Sequence, residues 1–215
     1  LCRTISSSIR SSWLDLMKSI LLPNDGYLRG SLSEELFDGL LKESLDYENA
    51  EFRNTGLKDV YGEQTCPHYE LSDKSRIDLM NFLSLYFQRY MEEFHYVRSL
   101  KFMTSSSPVI FGKPWFNIQS PNDFLPVHSH GGILSYTIWL KLPLLSVFTF
   151  HYSGITSNIL EHHIKLTEKD VGDFIFFPST LNHSVNPYKS DDPNEMRISI
   201  SGNIFFQGVD DYLSK

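Results

Sequence analysis

Two histidines one residue apart, His128 and His130, open the segment VHSHGGILSYTIWLKLP. Side chains at positions i and i+2 of a strand share a face, so both imidazoles could bind the same object. A third histidine, His183, follows the apolar run GDFIFF and a turn that contains Pro178. Neutral imidazole nitrogens bind divalent iron, manganese, copper and zinc, and three of them leave coordination positions open for catalysis. The sequence therefore predicts a metal site formed by His128, His130 and His183.

An arginine begins a row of polar residues near the end of the chain. In MRISISGNIFF the polar residues alternate with isoleucines, so a strand would present Arg197, Ser199, Ser201 and Asn203 on one face. An antiparallel strand with its polar face in water is the ordinary interpretation of such a pattern. The three histidines favour the other interpretation, in which the polar row lines a site.

The same parity argument can be applied to the strand that follows the histidine pair. If Gly131 and Gly132 introduce no bulge, the residues that share the face of His128 are Leu134, Tyr136, Ile138 and Leu140. Apolar residues on that face predict that the pair points into a barrel, near its mouth, where ligand sites are common. Five other histidines have no matching partners and are interpreted as surface or satisfied core residues: His68, His95, His151, His162 and His163.

The elements that must position these residues change type near residue 100. Before it, the pattern predicts helices over 13–22, over a run opened by a Ser31–Glu34 capping box, and over a longer run capped by Asp73. Their packing stripes are predicted as Leu36, Phe37, Leu40, Leu41 and Leu45, and as Ile77, Met80, Leu83, Phe87, Met91 and Phe94. After it, short segments rich in Val, Ile, Phe and Tyr alternate with turn residues, which is typical of antiparallel strands.

These patterns predict one mostly β domain over 1–215, with N-terminal α-helices. The part up to residue 100 would be mainly helical and pack on a jelly-roll core, a double-stranded β-helix or cupin-like barrel, over 101–215. The chain has 215 residues. Its net charge of −7 argues against a nucleic-acid-binding protein, because such proteins are usually basic. Two cysteines and no apolar run of membrane-spanning length favour a cytoplasmic, reducing location without membrane contact. The Ser/Arg-rich start is interpreted as an arm or fragment start, with a transit peptide as the alternative.

From Trp115 to Phe206 the sequence resembles the iron(II)/2-oxoglutarate-dependent oxygenases, in particular a branch common in phages and marine bacteria. The ordered motifs that carry the resemblance are W-x-N from Trp115, H-x-H from His128, a strand that ends at Pro143, G-D-x-x-x-F-P-S-x-x-x-H from Gly172 to His183, and R-x-S-x-S-x-N from Arg197. Most oxygenases of this family have a carboxylate at the third ligand position, where this chain has His130. A neutral ligand there leaves the site one charge unit more positive.

The resemblance implies a role for each matched residue. His128 and His183 would bind iron(II), with His130 as the third ligand, and Asp123 is a poor substitute because it lies in a turn. Arg197 would bind the distal carboxylate of 2-oxoglutarate, since the guanidinium fork matches two carboxylate oxygens. Ser199 would add a hydrogen bond, and Tyr136 and Asn117 are further candidates for cosubstrate contact.

The activity that the resemblance implies is hydroxylation of an unactivated C–H bond by molecular oxygen, with release of succinate and CO₂. A reductant such as ascorbate could support it, and peptidyl proline, a free amino acid and a small metabolite are all open as substrates. One alternative is a three-histidine cupin, a dioxygenase or isomerase that does not use 2-oxoglutarate. GDFIFFPSTLNH fits the second cupin motif, but GGILSY lacks the glutamate of the first. A second alternative is a non-catalytic jelly-roll binding module.

Overall fold

The computed structural model describes residues 26–53, 66–94, 109–154 and 156–207. The helix predicted over 13–22 and His95 lie outside these ranges. The described strands are β1 (Leu28–Ser31), β2 (Phe52–Arg53), β3 (His68–Glu70), β4 (Val109–Phe111), β5 (Trp115–Gln119), β6 (Leu125–His128), β7 (Leu134–Lys141), β8 (Ser146–Ser153), β9 (Ile159–Leu166), β10 (Asp173–Pro178), β11 (Asn182–Val185) and β12 (Arg197–Phe206). The helices are α1 (Glu34–Leu45) and α2 (Asp73–Glu93).

The strands form two antiparallel sheets. The major sheet has the order β1-β10-β7-β12-β5-β3-β2, with β4 also paired to β12, and the minor sheet has the order β6-β11-β8-β9. The antiparallel strands predicted after residue 100 are confirmed as a type of structure. Before residue 100 the described residues also include the short strands β1, β2 and β3, which extend the major sheet.

The two helices pack on one face of the major sheet. Leu40 of α1 and Leu79, Leu83 and Tyr90 of α2 are buried in the core that this face forms. The stripe predicted for α2 is partly wrong, since Ile77 is exposed while Leu79 and Tyr90 are buried. Within the described residues, no helix has both the length and the apolar character that crossing a membrane requires.

Both predicted helix caps are displaced. Glu34 begins α1, but its N-cap is Ser33, and the hydroxyl of Ser31 donates instead to Asp173 from within strand β1. Helix α2 begins at Asp73, and the residue before it, Ser72, is the N-cap whose hydroxyl accepts from the amide of Ser75. Only Ser72 caps through its side chain, since the hydroxyl of Ser33 makes no capping hydrogen bond. The alternative cap positions lie one or two residues apart in sequence, and local composition does not separate them.

Alternation along the major-sheet strands produces two separate interiors. In β12, Ile198, Ile200 and Ile204 face the helices and belong to one core. The polar row that begins with Arg197 faces the minor sheet, as the parity of the sequence predicts. The second core lies between the sheets and contains Trp139, Leu142, Phe148, Phe150, Ile164, Leu166, Ile175 and Phe177. The polar row and this second core enclose the candidate site.

The parity predicted across the glycine pair is wrong. Leu134, Tyr136, Ile138 and Leu140 face the helices, whereas Thr137 and Trp139 face the space between the sheets. The cause is a break between β6 and β7, where Gly132 has a φ of +104°. A Cβ at Gly132 would lie 2.7 Å from the carbonyl oxygen of Ile204, so only glycine fits this turn. The break moves the chain from the minor to the major sheet and resets the alternation.

Candidate metal centre and anion pocket

The fold brings the three predicted histidines together. His128 at the end of β6 lies directly opposite His183 in the antiparallel β6–β11 pair, and His130 follows β6. The ring centroids of His128 are 4.3 Å from His183 and 4.9 Å from His130, and those of His130 and His183 are 5.1 Å apart. One ring nitrogen from each residue lies within 4.8 Å of the others. These three nitrogens could therefore hold one metal ion.

Backbone carbonyls orient two of the three rings. Nδ1 of His128 lies 2.7 Å from the carbonyl oxygen of Pro126, and Nδ1 of His183 lies 2.9 Å from that of Leu181. A carbonyl can only accept, so Nδ1 carries the proton and Nε2 keeps its lone pair free for a metal. Burial lowers the pKa of His128, and burial together with the neighbouring His128 lowers the pKa of His183 well below its ordinary value. Both imidazoles are thus in the neutral form that a metal requires.

Aromatic packing holds the rings of His183 and His130 from outside. The ring of His183 stacks on Phe148 at 5.4 Å and 15° and meets Phe177 edge-on at 4.9 Å. The ring of His130 meets Trp115 edge-on at 6.0 Å. Side chains held in this way cannot reorient cheaply, so the three nitrogens are preorganised for a metal before it binds.

The triad forms part of the wall of a cavity of about 320 Å³ between the two sheets. Neutral nitrogen donors of this type suit iron, zinc and copper better than calcium or magnesium. The three histidines, Asn117, Arg197 and Ser199 all line this cavity, so six of the seven predicted site residues share one space. The rest of the wall combines aromatic and small polar side chains, namely His68, Trp115, Gln119, Leu125, Pro126, Ser129, Thr137, Trp139, Ser146, Val147, Phe148, Leu166, Val185, Ser201 and Asn203.

Arg197 is the most unusual residue of the cavity because it is a buried charge that no described carboxylate contacts directly, and Asp123 attracts it only from beyond ion-pair distance. Its side chain is 2% exposed, and no carboxylate of the described residues forms an ion pair with it. Nε donates to Oε1 of Gln119 at 2.8 Å, and Nη1 donates to the carbonyl of Asn186 at 3.0 Å. Nη2 has no hydrogen-bond partner among the described residues. Burial lowers the pKa of the guanidinium to about 10, which leaves it charged at neutral pH.

A buried, uncompensated charge is costly to a fold, usually several kcal/mol, unless a ligand of opposite charge compensates it. The free Nη2 and the cavity in front of Arg197 therefore make this wall a candidate binding site for an anion. Ser199 lies in this wall two residues further along β12. The side-chain nitrogen Nδ2 of Asn117 donates to the hydroxyls of Ser199 and Ser201, each at 3.4 Å. The structure thus places a metal-type donor set and an anion site in one cavity.

Two candidates from the sequence lie outside this arrangement. Tyr136 does not line the cavity, because it faces the helices, where its hydroxyl sits against Gly202 and has no hydrogen-bond partner among the described residues. Its predicted contact with a cosubstrate is therefore not supported, and the cause is the turn at Gly132. The carboxylate of Asp123 accepts from the amide of Ser120 at 2.7 Å and is not part of the histidine group.

The remaining described histidines separate into two groups. His151, His162 and His163 have ordinary polar neighbours away from the cavity, as predicted: His151 contacts Glu161 and Ser184, His163 contacts Thr149 and Glu161, and His162 lies beside Tyr27. His68 is a buried core histidine, which is one of the two interpretations that the sequence allows, but it lies in the cavity wall and stacks on Trp115 at 6.1 Å. Its position follows from β3 pairing with β5, which the irregular sequence before residue 72 does not reveal.

Gln119 is the second residue that sequence reasoning missed. It is 1% exposed, lines the cavity and lies opposite Arg197 in the β5–β12 pair. The sequence contains a signal for it, because alternate residues of a strand share a face and Gln119 lies two residues after Asn117 of the W-x-N motif.

Comparisons with known proteins agree on the fold. No family model matches the sequence, and no curated protein is significantly similar to it. A non-heme α-ketoglutarate-dependent epimerase from nogalamycin biosynthesis has a TM-score of 0.60 at 15% identity, over 85% of this chain and 77% of that one. A prolyl-4-hydroxylase from Pseudomonas putida has a TM-score of 0.57 at 14% identity, over 86% and 94%.

A third structure is HygX from Streptomyces hygroscopicus, with nickel, 2-oxoglutarate and hygromycin B bound. It has a TM-score of 0.55 at 10% identity, over 86% of this chain and 84% of that one. At such identities the likeness establishes the fold. The predicted double-stranded β-helix braced by helices is confirmed, and these three structures share it.

Proposed function

We propose that this chain is an iron(II)- and 2-oxoglutarate-dependent oxygenase that hydroxylates an unactivated C–H bond, releasing succinate and CO₂. The observation that carries the proposal is the pairing of two features in one cavity: three convergent imidazoles and the buried, uncompensated guanidinium of Arg197. 2-Oxoglutarate has an oxo-acid end that can chelate a metal and a distal carboxylate that fits a guanidinium fork. A single ligand of this chemistry satisfies both features.

Each predicted site residue that lines the cavity has a defined role in this proposal. His128, His130 and His183 would hold iron(II) through their ring nitrogens, and the Nδ1 bonds of His128 and His183 keep those rings in the metal-binding tautomer. Arg197 would bind the distal carboxylate, and Ser199, with Asn117 beside it, would add hydrogen bonds. Bound iron(II) would supply oxygen activation coupled to decarboxylation of 2-oxoglutarate, which no side chain can perform.

The walls of the cavity supply the remaining requirement, which is exclusion of water. Phe148 and Trp139 are 2% exposed, and Trp115 is also buried. Apolar walls of this kind keep solvent away from reactive species and strengthen the electrostatic interactions inside the site. Thr137, Ser201 and Asn203 add hydrogen-bonding groups to the wall, so the substrate is a small molecule or a side chain of a peptide that combines apolar and polar groups.

The alternative of a three-histidine cupin accounts for the metal donors but not for Arg197. A metal-dependent dioxygenase or isomerase without a dicarboxylate cosubstrate would leave the guanidinium buried and uncompensated throughout its cycle. A non-catalytic binding module would likewise have no use for the orientation of His128 and His183 by backbone carbonyls. Arg197 is therefore the feature that favours a 2-oxoglutarate-dependent reaction.

The test is conversion of 2-oxoglutarate to succinate by the iron(II)-loaded protein, measured across a panel of prolyl peptides, amino acids and small metabolites. We expect at least one substrate class to stimulate succinate release. His128→Ala should lower the rate by about 100-fold or more, because one of three ligands is lost. His163→Ala is the matched control, since this half-exposed histidine lies away from the cavity, and its rate should equal that of the wild type. Equal rates for His128→Ala and wild type would contradict the proposal.

A further inference from the structure

A second side chain meets Arg197 on the same wall of the cavity. Gln119 lies directly opposite Arg197 in the β5–β12 pair, and its Oε1 accepts the Nε–H of Arg197 at 2.8 Å. Because a guanidinium has only donors, this bond fixes which end of the amide faces the arginine. The oxygen must face Arg197, so the NH₂ group of Gln119 points elsewhere.

That NH₂ group is buried and has no acceptor among the described residues. The same is true of Nη2 of Arg197, and the two residues are 1% and 2% exposed. Folded proteins satisfy nearly all buried donors, so two orphan donors on one pair of linked side chains need an explanation. Both residues line the cavity, and an acceptor that enters it can satisfy both.

We propose that Gln119 is a positioning and binding residue for the distal carboxylate of 2-oxoglutarate, an inference that rests on the function proposed above. Its Oε1 holds Arg197 in place, while its Nε2–H₂ donates to the carboxylate together with Nη2 of Arg197. A carboxylate is acceptor-only and offers two oxygens, which matches two donors from two different side chains. Gln119 and Arg197 therefore form a paired donor cradle.

The cradle has a consequence for selectivity. An oxo acid that ends in a carboxamide presents an NH₂ group to donors, which leaves at least one donor unpaired and adds repulsion between donors. An oxo acid that ends in a methyl group gains nothing from the cradle but can still chelate the metal. The cradle should therefore select dicarboxylic oxo acids at the end of the molecule remote from the iron.

The experiment measures ligand affinity rather than activity, by calorimetric titration of the iron(II)-loaded protein under argon. The ligands are 2-oxoglutarate and 2-oxobutanoate, which has the oxo-acid end but no distal carboxylate. Gln119→Met removes both functions of the amide, and Gln119→Glu keeps the acceptor for Arg197 but replaces the donor by a negative charge. Ser44→Ala is the control, because Ser44 is buried in α1 and bonds only to the helix backbone at Leu40 among the described residues.

We expect Gln119→Met to weaken 2-oxoglutarate about tenfold and Gln119→Glu about 100-fold, since the glutamate both pairs with Arg197 and repels the ligand. Affinity for 2-oxobutanoate should stay within about threefold of the wild type for every variant, because the metal end of the site is untouched. A cradle of merely structural importance would weaken both ligands equally, and that outcome would overturn the inference. Unchanged affinity for 2-oxoglutarate in both variants would overturn it as well.

A wild-type measurement covers the case in which neither variant folds. The terminal amide of 2-oxoglutarate, 2-oxoglutaramate, should bind at least about tenfold more weakly than 2-oxoglutarate, and equal affinities would overturn the inference. The outcomes also separate the two proposals. If the wild type binds neither oxo acid, the proposed function fails and the cradle with it. If the wild type binds 2-oxoglutarate but ignores the changes at Gln119 and in the ligand, only the cradle fails.

Discussion

Replacement of Arg197 by methionine tests the anion site. We expect it to change the stability of the ligand-free protein little and to weaken the binding of 2-oxoglutarate strongly. Methionine has a similar length and leaves no charge. The lowering of the pKa of Arg197 to about 10 corresponds to about 3 kcal/mol against the charged form, since one pKa unit is about 1.4 kcal/mol. The substitution removes this penalty but leaves the acceptors on Gln119 and Asn186 without their donor, at about 1–3 kcal/mol each.

These contributions largely offset each other. We expect the free energy of unfolding of the ligand-free protein to rise by up to about 1 kcal/mol or fall by up to about 3 kcal/mol. Breaking a compensated buried ion pair usually costs about 3–5 kcal/mol. The ligand-bound protein should behave differently. Losing charged hydrogen bonds to a buried carboxylate costs at least about 2 kcal/mol of binding, which raises the Kd of 2-oxoglutarate by about 30-fold or more.

The assay is thermal unfolding of the iron(II)-loaded protein under argon, with and without 2-oxoglutarate at about 100 times the wild-type Kd. Wild type should gain about 2.7 kcal/mol from binding, or a rise in Tm of about 5–10 °C for a chain of this length. Arg197→Met should gain under about 1 kcal/mol. Arg89→Met, a change at an exposed arginine of α2 that pairs with Glu92 and Glu93, should keep the full shift. A full 2-oxoglutarate shift in Arg197→Met would refute the reasoning, as would a loss above about 4 kcal/mol without ligand.

Substitutions at three further positions test the metal centre and the fold that supports it. His130→Ala should lower iron(II) affinity about tenfold or more in a competition with a chelator. His130→Asp introduces a carboxylate ligand at this position and should bind iron(II) within about tenfold of the wild type. Unchanged affinity in His130→Ala would show that this ring is not a ligand. Leu83→Ala should cost about 2–5 kcal/mol in denaturant unfolding, because Leu83 is fully buried between α2 and the sheet, and a cost below about 1 kcal/mol would contradict that packing. Gly132→Ala should cost at least about 1–3 kcal/mol, since φ is +104° and the methyl group would meet the carbonyl of Ile204; an equally stable variant would argue against the turn.

The sequence was most informative where alternation of side chains is uninterrupted. Along β12, the parity of Arg197 through Asn203 predicted which residues face the cavity, because the side chains of β12 alternate without interruption even where its register with β7 shifts. The grouping of the three histidines was also predictable, since an H-x-H pair and a distant histidine point to metal chemistry whatever the details of the fold. In both cases the information is local or is a property of the residue types themselves.

Sequence reasoning failed where the answer depends on long-range pairing. The turn at Gly132 moves the chain between sheets, so parity could not be carried from His128 to Tyr136. The positions of His68 and Gln119 depend on the strands that pair with β5, and no local pattern encodes which strands these are. Residues that strand pairing brings into the cavity can be identified only when the order of strands in the sheet is known.

The most direct measurement of the central claim is anomalous diffraction at the iron edge from crystals grown under argon with iron(II) and 2-oxoglutarate. We predict one strong peak roughly 2 Å from ring nitrogens of His128, His130 and His183, with electron density for the oxo acid running from that peak to Nη2 of Arg197. A peak at any other site would contradict the account, and so would an oxo acid bound away from Arg197.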